Sequence, residues 1–118
     1  MAFYNTDSSA GDTIAYPCRA WANINAAYNP PTVGGSGGLT SFTDQGTGDH
    51  QFNFNFTLST DDYSALCSCG SDGGWSMAPH IYSRSTILTT SIRFSVNAVN
   101  ASGTNYDREE FCMAVIMD

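Results

Sequence analysis

DQGTGDHQFNFNFTL, residues 44–58, carries two instructions in succession. The first half, with Asp44, Gly46, Gly48 and Asp49, is turn chemistry: glycine supplies positive φ, and aspartate bonds back to nearby amides. The second half alternates strictly, Phe52, Phe54, Phe56 and Leu58 on one side, Gln51, Asn53, Asn55 and Thr57 on the other. A period of two is that of a β-strand with one face in a core. Residues 39–43 read as its partner, so 39–43 and 50–58 form a hairpin about the turn. The phenylalanines are core. The amide face suits solvent, a sister subunit or sugar hydroxyls.

Working outward, strands follow nearly throughout. Residues 18–26, CRAWANINA, set Cys18, Ala20, Ala22 and Ile24 against Arg19, Trp21, Asn23 and Asn25. Residues 63–69 alternate again, and 79–83 make a short strand. Residues 86–99 form the longest, with Ile92, Phe94, Val96 and Ala98 inward. Residues 111–117, apolar on both faces, predict a central or doubly covered strand. Between these, AYNPPTVGGSGG (27–38) holds two prolines and four glycines and reads as a long exposed loop without regular structure. CGSDGGWSMAP (69–79) reads as a second loop holding Trp75, and NASGTN (100–105) as a turn. Many strands, turn signals and no helical periodicity predict an all-β fold, an antiparallel β-sandwich of jelly-roll-like type. Residues 18–118 make one domain, and 1–17 are an N-terminal docking arm or a disordered terminus.

Composition limits the partners. A chain of 118 residues supports one core. Its formal charge is -7, it has no lysine, and its full cations are Arg19, Arg84, Arg93 and Arg108. That balance opposes binding to nucleic acid or to an anionic membrane. No stretch approaches the roughly 18 apolar residues of a membrane helix, so no membrane insertion is expected. The first twelve residues, MAFYNTDSSAGD, show neither a basic nor an apolar signal region. Synthesis in a cytosol, with thiols reduced, is the expectation.

Chemistry-bearing residues are sparse. Cys18, Cys67, Cys69 and Cys112 lack the spacing of a zinc knuckle and read as small hydrophobes within strands. A Cys67–Cys69 disulfide is geometrically poor, because same-face neighbours on a strand are about 6.5–7 Å apart. His50 and His80, each in a position common at surfaces, are candidates for an acid–base site with Asp44, Asp49, Asp61 or Asp62. The DQGTGD segment lacks the ligand spacing of a calcium loop and reads as a β-turn. No nucleophile elbow, zinc helix or phosphate loop is present, so no enzyme, metal or cofactor is expected. Two glycosylation sequons, at Asn55 and Asn100, read as chance in a chain rich in Asn and Thr. The remaining candidates are loop aromatics for sugar stacking: Tyr28 and Trp75, with Asn29, Asp72 and Ser76 placed to take hydroxyls.

CRAWANINA, then SFTDQGTGDHQFNFNFTLSTDDYSALCS, then SIRFSVNAVNASGTNYDREEFCMAVIMD together resemble a domain found at the C-terminal ends of bacteriophage tail-fibre proteins, especially those of marine and cyanobacterial phages. The similarity spans most of residues 18–118. Its most specific part is the string Thr43-Asp44-Gln45-Gly46-Thr47-Gly48-Asp49 beside Arg19-Ala20-Trp21. The resemblance implies a virion component of β-sandwich type, made in the host bacterial cytoplasm. It implies assembly with copies of itself, as a trimer, and docking on other virion proteins through residues 1–17. It supplies no catalytic residue. A short tail fibre or fibre tip is the expected function, with a host surface glycan as an expected partner. A capsid-decorating protein built on the same module, or a free lectin-like module, is the alternative.

Overall fold

The computed structural model describes residues 17–70, 76–99 and 104–117 in full, and the backbone alone of 3–5 and 13–15. Phe3–Asn5 (β1) and Thr13–Ala15 (β2) pair with each other as a two-stranded antiparallel sheet. The remaining strands are Cys18–Asn25 (β3), Thr32–Gly37 (β4), Leu39–Gly46 (β5), Asp49–Phe54 (β6), Ser64–Cys69 (β7), Met77–Ile81 (β8), Ser91–Ala98 (β9) and Phe111–Ile116 (β10). They build two antiparallel sheets of four strands, in the orders β4-β3-β10-β7 and β5-β6-β9-β8. The fold is an all-β sandwich.

Alternation places the core between the sheets. Ala20, Ala22 and Ile24 of β3 and Phe111, Met113 and Val115 of β10 meet Phe52 and Phe54 of β6 and Ile92, Phe94 and Val96 of β9. Phe52, Phe94 and Phe111 are fully buried and pack as a trio of rings, with centroids 5.7–6.0 Å apart. Each buried aromatic of this kind contributes about 1.5–3 kcal/mol through apolar area removed from water. β10 lies inside its sheet, paired with β3 on one side and β7 on the other, as its apolar composition predicts. Small alanines on β3 let the sheet bearing them approach the phenylalanines opposite.

Four sequence expectations are corrected. Residues 32–37 form β4, an edge strand on β3, where a structureless loop is expected from the glycines. The reason is packing: a Cβ at Gly37 would sit 2.5 Å from Trp21 Nε1, and one at Gly35 would sit 3.1 Å from Trp21 Cη2. The glycines vacate the space that the indole occupies. The segment 86–99 is strand only from Ser91, because Arg84–Thr86 winds into a 3-10 turn held by Thr86 Oγ1, which donates to the Ser83 carbonyl and accepts from the Ser83 amide. The predicted strand 50–58 ends at Phe54, although Leu58 remains buried and Phe56 stacks on Phe54. Cys18, expected inward, is exposed, because the β3–β10 register shifts beside it.

The chain passes from one sheet to the other at Gly38. Its φ is +73°, and a Cβ there would lie 2.1 Å from the Arg19 carbonyl oxygen, so only glycine fits this corner. Register places the 43–49 turn, residues 26–31, the start of β8 and residues 104–110 at one end of the sandwich.

Candidate functional site

The 43–49 turn is built into the body of the protein. Asp44 Oδ1 accepts from the Gly46 amide at 3.0 Å, which tightens the strand end. Gly48, at φ +62°, is buried: its N–H donates to Asp107 Oδ1 at 2.7 Å and its carbonyl accepts from the Val96 amide at 2.8 Å. A Cβ at Gly48 would come within 2.8 Å of Tyr106 backbone atoms. Next to it the Asp49 carboxylate takes both Nε and Nη2 of Arg93, whose guanidinium lies 3.9 Å from the centre of the Tyr82 ring. Both charges of this pair are largely covered, a geometry in which a bidentate bond fixes orientation as well as charge. These carboxylates help to hold the turn, Asp44 through the Gly46 amide, Asp107 through the Gly48 amide and Asp49 through Arg93.

His50 departs from its expected surface position. It is fully buried, and neither ring nitrogen has a hydrogen-bond partner. Its ring packs against Phe42 and Phe111, with centroids 5.7 and 5.4 Å away. Burial lowers its pKa, opposed in part by the negative field of Asp107, Asp44 and Asp49. The physical cause was present in the pattern: His50 is two residues before Phe52 and shares its inward face. A neutral imidazole closed off from solvent does not serve as an acid–base group on a substrate. His80 is exposed, and Asp61 and Asp62 pair with Arg84 at the surface. The acid–base constellation drawn from the sequence is not assembled. No group of three or more His, Cys, Asp or Glu placed to hold a metal occurs among the described residues.

The two outer faces differ in chemistry. On the β5-β6-β9-β8 sheet the amide wall bonds to itself: Gln45 donates to Gln51, Gln51 to Asn53, and Asn53 to Ser41 and Thr43. On the β4-β3-β10-β7 sheet, register sets Gly37, Trp21, Ala114 and Leu66 in one row and Gly35, Asn23, Cys112 and Ser68 in the next. Trp21 is 46% exposed and Leu66 57%. Neither row holds a charged residue. A shallow groove of about 200 Å³ runs beside Leu66, Ser68, Cys112 and Ala114.

The cysteines divide by face. Cys67 and Cys69 pack against the core, and burial pushes the Cys67 thiol up to about 11, with Cys69 raised for the same reason. Cys112 faces outward and accepts a hydrogen bond from Asn23 Nδ2 at 3.2 Å. All four are free thiols.

Of the loop candidates for sugar stacking, Tyr28 is 63% exposed, and Asn29 and Ser76 are also exposed at the same end of the sandwich. No hydrogen bond or ring contact joins these three among the described residues. Asp72 and Trp75 lie outside the described residues. Trp21, which the sequence reading left as the polar side of a strand, is the exposed aromatic with a built surround. The six-residue string VGGSGG next to it was the available signal, since a strand of glycines makes room for a large neighbour.

Comparison of the chain with protein-family models, curated proteins and solved structures finds no match.

Proposed function

We propose that the protein is a bacteriophage virion structural protein, a short tail fibre or fibre tip displayed at the particle surface, whose work is assembly and contact rather than catalysis. The observation that carries the reading is the clasp at Gly48. The string 43–49 and the segment around Asp107 are separate parts of the resemblance to fibre-terminal domains, far apart in sequence. They meet through the Gly48 amide and the Asp107 carboxylate. Two fibre-like motifs joined by one part-buried bond support the resemblance as a property of a whole folded unit.

The sandwich also suits display. Strands β4, β5, β7 and β8 are the sheet edges among the described residues, and copies of the chain would cover such edges on assembling as a trimer. The thiols at Cys67 and Cys69, raised by burial, are poor nucleophiles and fit a structural role. Mass spectrometry of gradient-purified particles tests the reading. Peptides of this chain recovered with the tail proteins at comparable copy number are expected. Their absence from purified particles, with the chain abundant in the lysate, overturns it.

A further inference from the structure

The exposed indole of Trp21 rests on a surface shaped for it. Gly35 and Gly37, two residues apart on β4, lie under opposite ends of the ring: a Cβ at Gly35 would meet Cη2 and Cζ3, and one at Gly37 would meet Nε1 and Cδ1. The ring therefore lies along the outer surface of the edge strand, with one face on glycine backbone. Among the described residues no other ring or cation covers it, and the residue keeps nearly half of its surface open. A large aromatic held flat on backbone, facing water, is fixed without loss of its second face.

The two rows at the ring are uncharged, with Ala114 and Leu66 beside it and hydrogen-bonding groups in the next; Arg19, two residues before it on β3, lies over the Phe56 ring. Asn23 is two positions along β3 on the same face, its Nδ2 on Cys112 Sγ and its Oδ1 near Gly34. Ser68 and Ser64 close the β7 side, opposite Cys112 and Ile116. The chain carries a formal charge of -7, so this neutral face is where an uncharged ligand meets no repulsion and an acidic one is opposed by the field of the molecule.

Four strands by six residues give a face of roughly 300 Å². A stable protein–protein contact takes about 800 Å² from each partner. The face is too small to hold a second copy by itself and matches a short run of sugar rings.

We propose that the outer face of the β4-β3-β10-β7 sheet is a binding site for neutral pyranose sugars, with Trp21 as the stacking platform and Asn23 as the group that takes ring hydroxyls. The C–H face of a pyranose carries weakly positive hydrogens that lie on the π surface, and its equatorial hydroxyls point outward to amide and serine groups. The Leu66–Ala114 groove extends the platform to a neighbouring ring. The site stands on the sheet face itself and not on where the protein resides. Failure to bind sugar leaves the virion reading standing, and absence from particles leaves the sugar site standing.

The test is a titration of the ¹⁵N-labelled full chain with glucose, galactose, mannose and N-acetylglucosamine and their linear trimers, each to about 50 mM, following the two tryptophan indole signals. For at least one sugar the Trp21 indole is expected to shift saturably, with a dissociation constant on the order of millimolar and tighter for the trimer. Trp21→Ala is expected to weaken that binding about ten-fold or more, and Trp21→Phe to keep most of it. Should Trp21→Ala misfold, Ala114→Arg, which lays a long side chain beside the ring, serves in its place. No saturable shift with any sugar, or a shift confined to the Trp75 indole, overturns the assignment. So does a sedimentation profile in which the wild type associates and Trp21→Ala is monomeric, since a second copy then covers the face.

Discussion

His50 is the residue whose chemistry is most at odds with its place. A buried imidazole with two unpartnered nitrogens costs about 1–3 kcal/mol relative to a satisfied one. It also ties stability to pH. Its folded pKa is lowered from 6.5 because burial disfavours the charged form, while Asp107, Asp44 and Asp49 only partly offset that. In the unfolded chain the imidazole takes a proton below about pH 6.5, and in the folded protein it resists one, so the unfolded state binds more protons there. Stability therefore falls as pH drops through that value. Urea denaturation at pH about 7.5 and about 5.5 checks it, with His50→Leu as the comparison. The variant is expected to lose distinctly less stability between the two than the wild type. Equal losses would mean that His50 is not the group responsible. Its inward parity, two residues before Phe52, is legible in the sequence; its place directly after a turn, where histidines are commonly exposed, points the other way.

At the scale of elements, β4 is where local propensity and tertiary packing part. Glycine disfavours a strand on its own account, and five of the six residues of TVGGSG are polar or lack a side chain. Here the strand exists because β3 lends it a ladder and because its glycines accept Trp21. The claim is checked by comparing two substitutions of the same kind. Gly37→Ala is expected to destabilise by about 1–3 kcal/mol and to move the Trp21 indole resonance, since the new methyl must displace the ring. Gly70→Ala, whose Cβ would make an ordinary 3.7 Å contact with Glu110, is expected to change stability by less than about 0.5 kcal/mol. Similar costs at the two sites would remove the packing explanation for β4. The other strands were legible for the opposite reason. In β10 burial alternates residue by residue, and in β6 and β9 every inward apolar position is buried, so pattern alone locates both strand and core face. At β4 propensity misled because a large neighbour, not the strand's own side chains, decides the structure.

At the scale of the whole molecule, strand order was out of reach of the sequence, because nothing in β3 says that its neighbours are β4 and β10 rather than β5. The order matters for function. It gathers residues 26–31, the 43–49 turn, the start of β8 and residues 104–110 at one end, and it leaves two broad outer faces of unlike character. One face is a self-bonded amide ladder with a covered Arg93–Asp49 pair; the other is neutral and carries Trp21. Such a molecule offers an end for contact and faces for assembly or ligands, consistent with display at a particle surface. Tyr28 was legible as an exposed loop aromatic. The flat Trp21 surface was not, because it is assembled from β3, β4, β7 and β10 together. The most direct test of the display reading is immunogold labelling of purified particles with antibody raised against this chain. Label concentrated at the tail, at fibre tips or beneath the baseplate, is the predicted result; particles without label, or label spread over the head alone, would contradict it.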